Sequence, residues 1–159
     1  MALVGKLEAE VEIKAAAFVV YNIFKTQLHV LPNISSDIVQ KVELQEGDWG
    51  TLGSVKNWDY TLDGKQLSIK EKVEVVDDDN KSITFSILDG AILEHYKSFK
   101  ATIQVTDKEE GSLVKWTMDY EKLSEEIPHP HSYIDLALNV VKDVEAHHLN
   151  PNTTVTNIL

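Results

Sequence analysis

In Leu67-Ser68-Ile69-Lys70-Glu71-Lys72-Val73-Glu74-Val75 the apolar residues take every second position, and Glu71 stands in their row. Ser68, Lys70, Lys72 and Glu74 take the other row. Successive side chains of a strand point to opposite faces, so this register turns Glu71 inward with Ile69 and Val73. An unpaired carboxylate inside a strand costs on the order of several kcal/mol. Glu71 therefore holds a ligand, acts as an acid or base, or meets a cation. The alternative is a bulge that turns it outward, or a strand end at a rim. Tyr60, Tyr120 and Tyr133 bring phenolic hydroxyls that can donate to a ligand carbonyl, although buried tyrosines also serve backbone carbonyls. Glu71 with one of them could move a proton next to a carbonyl.

The other inward registers supply apolar surface. Trp58 shares a row with Tyr60, Leu67 with Ile69, Ile83 with Phe85, Phe99 with Ile103, and Val114 with Trp116, Met118 and Tyr120. Packed core and lined pocket use the same residue types, so periodicity alone leaves both open. His95 shares parity with Phe99 and is expected to point inward near a strand entrance. His129 and His131 flank Pro130, and His147 and His148 are neighbours. Neither pair has the i, i+4 spacing of helical metal sites, so no metal and no cofactor is expected.

These side chains need strands to carry them. Leu7, Ala9, Val11 and Ile13 alternate with charged residues, the period of a strand with one buried face. Residues 15–31 change to helical spacing and break near Pro32. From Ile38 to Glu121 the alternation returns, punctuated by turn residues. Asp63-Gly64 and Asp89-Gly90 both read as two-residue hairpin turns, in which positive φ is required. The count is about seven strands in an antiparallel meander. Ser132 to His148 is a helix with Tyr133, Ala137, Val140, Val141 and Val144 on one face, stopped by Asn150-Pro151. Glycines 47, 50 and 53 shape the loop Glu46–Lys56, but a strand follows it, where a phosphate-binding loop would feed a helix.

The chain has 159 residues, no cysteine and a net charge of −11. One domain over residues 1–159 is expected, with a short tail from about residue 150. The acidic balance argues against nucleic acid, whose binding rests on clustered Lys and Arg. Residues 1–13 interrupt their apolar positions with charge, unlike a signal peptide, and no apolar run is long enough to span a bilayer. A cytoplasmic location is expected.

The loop E-G-D-W-G-T-L-G-S-V-K, with L-V-G-K-L-E-A-E-V-E-I, L-P-N-I-S, Y-K-S-F-K and G-S-L-V-K-W-T-M-D-Y-E-K-L, resembles the major latex proteins. These are a plant branch of the birch-pollen-allergen superfamily, which includes the class-ten pathogenesis-related proteins. The resemblance runs from about Leu3 to Leu149. It implies an α+β helix-grip fold: a seven-stranded antiparallel sheet curved around a long C-terminal helix, with two short helices near the N-terminus. It also implies a large cavity between sheet and helix, and hence an intracellular protein holding small hydrophobic or amphipathic metabolites in a defence or stress role. The expected wall is Trp58, Tyr60, Ile69, Glu71, Phe85, Phe99, Trp116, Met118, Tyr120, Tyr133, Ala137, Val140 and Val141. The loop Gly47–Gly53 is expected near one entrance, and the chain as a monomer. The alternative is a cavity enzyme of isomerase or condensation type that uses Glu71 and a tyrosine. The gate and latch motifs of the abscisic-acid receptors in this superfamily are missing, which argues against regulated phosphatase inhibition.

Overall fold

The computed structural model describes residues 3–149, so the expected tail lies outside the described residues. Strand β1 (Val4–Ile13) leads into helix α1 (Ala17–Thr26), a 3₁₀ turn at Leu28–Val30 and the short helix α2 (Leu31–Ile34). Strands β2 (Val39–Glu46), β3 (Val55–Leu62), β4 (Lys65–Asp77) and β5 (Ser82–Gly90) follow. A second 3₁₀ turn, Ala91–Glu94, precedes β6 (Tyr96–Lys108) and β7 (Gly111–Lys122), and helix α3 (His131–Leu149) is the last described element. All seven strands form one antiparallel sheet in the order β1-β7-β6-β5-β4-β3-β2.

The local reasons are legible. Ala15 and Ala17 are fully buried, and Ser112 Oγ donates to the Ala15 carbonyl at 2.8 Å, so the alanine run seats the chain against the start of β7 where larger side chains would not fit. Asp63 and Gly64, at φ 52° and 78°, make the two-residue turn between β3 and β4, as their sequence predicts. Asp89-Gly90 does not turn the chain in that way. Gly90 ends β5, and the 3₁₀ turn makes the connection to β6. A Cβ on Gly90 would stand 2.3 Å from the Ser68 carbonyl oxygen, so a close backbone approach, not a hairpin, requires this glycine.

Register shifts at Val39/Lys41, Leu44/Glu46, Lys70/Glu71, Val73/Val75 and Tyr96/Ser98 bend the sheet. The shift after Val73 turns Val75 outward, against its sequence parity, leaving it 48% exposed. Helix α3 packs on β1 and β7 and also on β3. Strands β7 and β3 lie four spacings apart, about 19 Å in a flat sheet. One helix can touch both because the sheet curls around it. Polar anchors fix its seat. Ser35 Oγ donates to Asp143 at 2.5 Å, and the Lys14 backbone N–H donates to Glu145 at 2.6 Å.

Candidate ligand-binding cavity

Between the sheet and α3 lies a chamber of about 100 Å³. Its wall takes Trp58 and Tyr60 from β3, Ile69 and Glu71 from β4, Phe85 and Ile87 from β5, Phe99 and Ala101 from β6, and Trp116 and Met118 from β7. Helix α3 adds Tyr133, Leu136, Ala137 and Val140, while Phe24, Val39 and Ile92 close the remainder. The chamber is smaller than the large cavity expected, because these aromatic side chains fill much of the space between sheet and helix.

Two expected wall residues lie elsewhere. The Tyr120 ring lies over Gly5 of β1, where an added Cβ would come within 2.6 Å of it, and its hydroxyl shares a hydrogen bond with His129 Nδ1. Val141 is fully buried in the packed core. Phe24, Val39, Ile87, Ile92, Ala101 and Leu136 were not expected at the chamber. Three carried a usable signal: Ile87 continues the row of Ile83 and Phe85, Ala101 lies between Phe99 and Ile103 in theirs, and Leu136 is one helical turn beyond Tyr133.

Glu71 points inward and is 6% exposed, despite the register shift beside it. Its counter-charge is Lys56, 2% exposed, with Nζ 3.2 Å from Glu71 Oε1. Trp58 Nε1 donates to the same oxygen at 3.0 Å. Lys56 Nζ also sits 4.6 Å from the centre of the Phe85 ring, which attracts cations through its face. The meeting with a cation is therefore the occupation the structure selects for Glu71. Glu71 Oε2 takes no hydrogen bond from any described residue. The chamber wall holds one further unmatched polar group, the buried Trp116 Nε1, which has no hydrogen-bond partner among the described residues.

Tyr60 and Tyr133 share a hydrogen bond of 2.7 Å. Burial pushes the Tyr60 phenol well above the usual tyrosine range and raises that of Tyr133; their mutual bond adds to the rise at Tyr60 and opposes it at Tyr133. Both side chains are protonated at neutral pH. Neither reaches Glu71 by a hydrogen bond, so no carboxylate–tyrosine pair for proton transfer is assembled among the described residues.

Tyr133 also borders a second, outer pocket of about 550 Å³. Leu62, Asp63 and Lys65 of the β3–β4 turn, Ala91, Glu94 and His95 of the 3₁₀ turn, and the segment Ile127–Pro130 line it. Tyr96 donates to the Pro128 carbonyl at 2.6 Å and holds that segment down. Burial, reinforced by Tyr120 and Tyr133, raises the Tyr96 phenol to about 12. His95 is exposed on the rim of this pocket and does not point inward, because the 3₁₀ turn carries it outside the β6 register. The loop Gly47–Gly53 is at neither pocket. It adjoins the start of β3, about 25 Å from the outer pocket at that strand's end, and packs on α1, where a Cβ at Gly50 would meet Thr26 at 2.8 Å. Its three glycines do hold the positive φ their spacing suggests, at 77°, 80° and 85°. No described helix is long and apolar enough to cross a membrane.

Comparison with known proteins agrees with this geometry. Residues 2–151 match the model of the pathogenesis-related protein Bet v 1 family. MLP-like protein 43 of Arabidopsis thaliana is 43% identical over 147 residues, covering 91% of this chain and 93% of its own. The crystal structure of major latex-like protein 151 from Panax ginseng superposes with a TM-score of 0.90 at 40% identity, over 93% of this chain and 99% of the other. Norcoclaurine synthase from Thalictrum flavum, solved with dopamine and hydroxybenzaldehyde, shares the fold at a TM-score of 0.76 and 18% identity, over 92% of this chain and 87% of the other. With the curled sheet, the gripped helix and a family match along nearly the whole chain, this protein belongs to the pathogenesis-related protein Bet v 1 family, in its major latex branch.

Proposed function

We propose that the protein is a single-domain, monomeric carrier or buffer of small, largely apolar plant metabolites, held in the chamber between sheet and α3. One observation carries the reading: an almost wholly apolar chamber admits a charged side chain, Glu71, only with its counter-charge beside it. Apolar walls with a few placed polar groups suit ligand sites. The acidic net charge supports a small-molecule partner over nucleic acid. The cysteine-free sequence fits a cytoplasmic site of action. A defence or stress role follows from family likeness alone.

The enzymatic alternative has weaker support, since Glu71 is matched to Lys56 and Trp58 and the nearby tyrosines to each other. The deciding experiment incubates the purified protein with a plant metabolite extract and analyses bound and free fractions by mass spectrometry after size exclusion. Enrichment of a compound at constant total amount is expected. Disappearance of one metabolite with appearance of another would replace the carrier with an enzyme. Ala137→Trp fills the chamber from α3 and is expected to abolish enrichment while the circular dichroism spectrum is retained. Unchanged enrichment in that variant would remove α3 from the site.

A further inference from the structure

The carrier reading leaves the ligand's chemistry open, and the polar groups of the chamber narrow it. Lys56 and Glu71 compensate each other. A ligand carboxylate would bring a second negative charge to Glu71, and a ligand ammonium a second positive charge to Lys56. Either would be an uncompensated charge in an apolar chamber, which is strongly unfavourable. The ligand is therefore neutral.

Its polar groups follow from what the protein leaves unmatched. Glu71 Oε2 is an acceptor with no donor among the described residues, although Oε1 accepts from Trp58 and faces the Lys56 ammonium. The Tyr60–Tyr133 hydrogen bond uses one hydroxyl proton of two, and the other has no acceptor among the described residues. Lys56 pairs with Glu71 on one rung of the β3–β4 ladder, and Tyr60 with Leu67 on another, four residues along. The two polar groups therefore meet a ligand at separate points along the strands. The inner volume of about 100 Å³ suits a small ligand, and the aromatic wall of Trp58, Phe85, Phe99 and Trp116 suits a flat ring. Tyr133 borders both this chamber and the outer pocket.

We infer that the chamber takes a neutral aromatic ring whose hydroxyl donates to Glu71 Oε2 and whose carbonyl, on a separate substituent, accepts from the Tyr60–Tyr133 pair. The inference rests on the carrier reading and can fail separately from it.

Calorimetric titration of the full chain at pH 7 tests it with 4-hydroxyacetophenone, acetophenone, 4-ethylphenol, 4-hydroxybenzoate and 4-hydroxybenzylammonium. The hydroxy ketone is expected to bind at least about tenfold more tightly than acetophenone or 4-ethylphenol, each of which leaves one polar group unmatched. The two charged analogues are expected to bind weaker by about tenfold or more. In Lys56→Met/Glu71→Leu, which replaces the ion pair with apolar side chains, acetophenone is expected to bind as tightly as the hydroxy ketone. The wild-type series stands on its own if that variant does not fold. Equal affinity across the five compounds in the wild type would overturn the inference and leave the carrier intact, as would a hydroxyl preference that survives in the double variant. Failure of all five to bind overturns the inference, and the carrier falls with it only if the metabolite extract also yields nothing.

Discussion

One hydrogen-bond donor, Trp58, and one cation, Lys56, converge on the same oxygen of Glu71, and both come from its neighbour strand. Removing one of the two charges leaves the other stranded in the interior. Lys56→Met is therefore expected to destabilise the protein by about 3–5 kcal/mol, whereas adding Glu71→Leu recovers most of the loss. Urea denaturation of the single and double variants checks this, and additive effects would mean that the two charges do not interact. Lys56 was readable beforehand and was missed. The two-residue turn fixes Leu62 opposite Lys65, and counting back equally along both strands sets Lys56 opposite Glu71. Parity marks the carboxylate and sets Lys56 in the row of Trp58 and Tyr60, but parity alone does not pair residues across two strands. Tyr120 was misread for a different reason. Its parity is inward, but the space over Gly5 draws its ring aside, and parity carries no information about the strand next door. The tyrosines also set an alkaline limit. Their folded pKa values lie above the unfolded value of about 10, so their contribution to stability is complete below pH 10 and is lost as pH rises beyond it. Tyr60→Phe is expected to reduce the fall in urea midpoint between pH 9 and pH 11; an identical fall in both proteins would assign the alkaline limit to other groups.

Among the elements, identical dipeptides did different work. Asp63-Gly64 and Asp89-Gly90 look alike in sequence, yet one turns a hairpin and the other lets β5 pass against the Ser68 carbonyl. Only tertiary contact separates them. A Cβ on Gly64 meets nothing within 4 Å, so Gly64→Ala is expected to cost only the strain of a positive φ, about 1–2 kcal/mol. Gly90→Ala combines positive φ with a collision against backbone and is expected to cost more than about 3 kcal/mol. Thermal unfolding of the two variants gives the comparison, and equal losses would show that β4 yields to the added methyl. The helices were legible by face more than by boundary. Apolar spacing identified the gripped side of α3, whereas the solid packing of Val141 beside the open wall at Val140 depends on how the curled sheet meets the helix.

For the molecule as a whole, the net charge of −11 works against the compact state. Raising ionic strength from about 0.01 to 0.15 M shortens the screening length from roughly 30 to 8 Å. The thermal midpoint is expected to rise over that range; a fall would mean that attractive pairs such as Lys25–Asp78 and Lys115–Glu8 outweigh the general repulsion. Strand number and helix position were legible because periodicity survives in every element. Chamber volume was not, because it depends on the bulges that curl the sheet. Sheet order has its own consequence. Strand β1 pairs with β7, Gly5 against Tyr120, while every other neighbouring pair in the sheet joins strands consecutive in the chain. During synthesis at roughly 5–20 residues per second, β1 waits about 5–20 s for its partner. For that interval its apolar row has no sheet to join, and α3, made later still, cannot close the chamber. The native state is thus reached only after β7 and α3 have been made, and the long loop closure between β1 and β7 is expected to make their pairing slow.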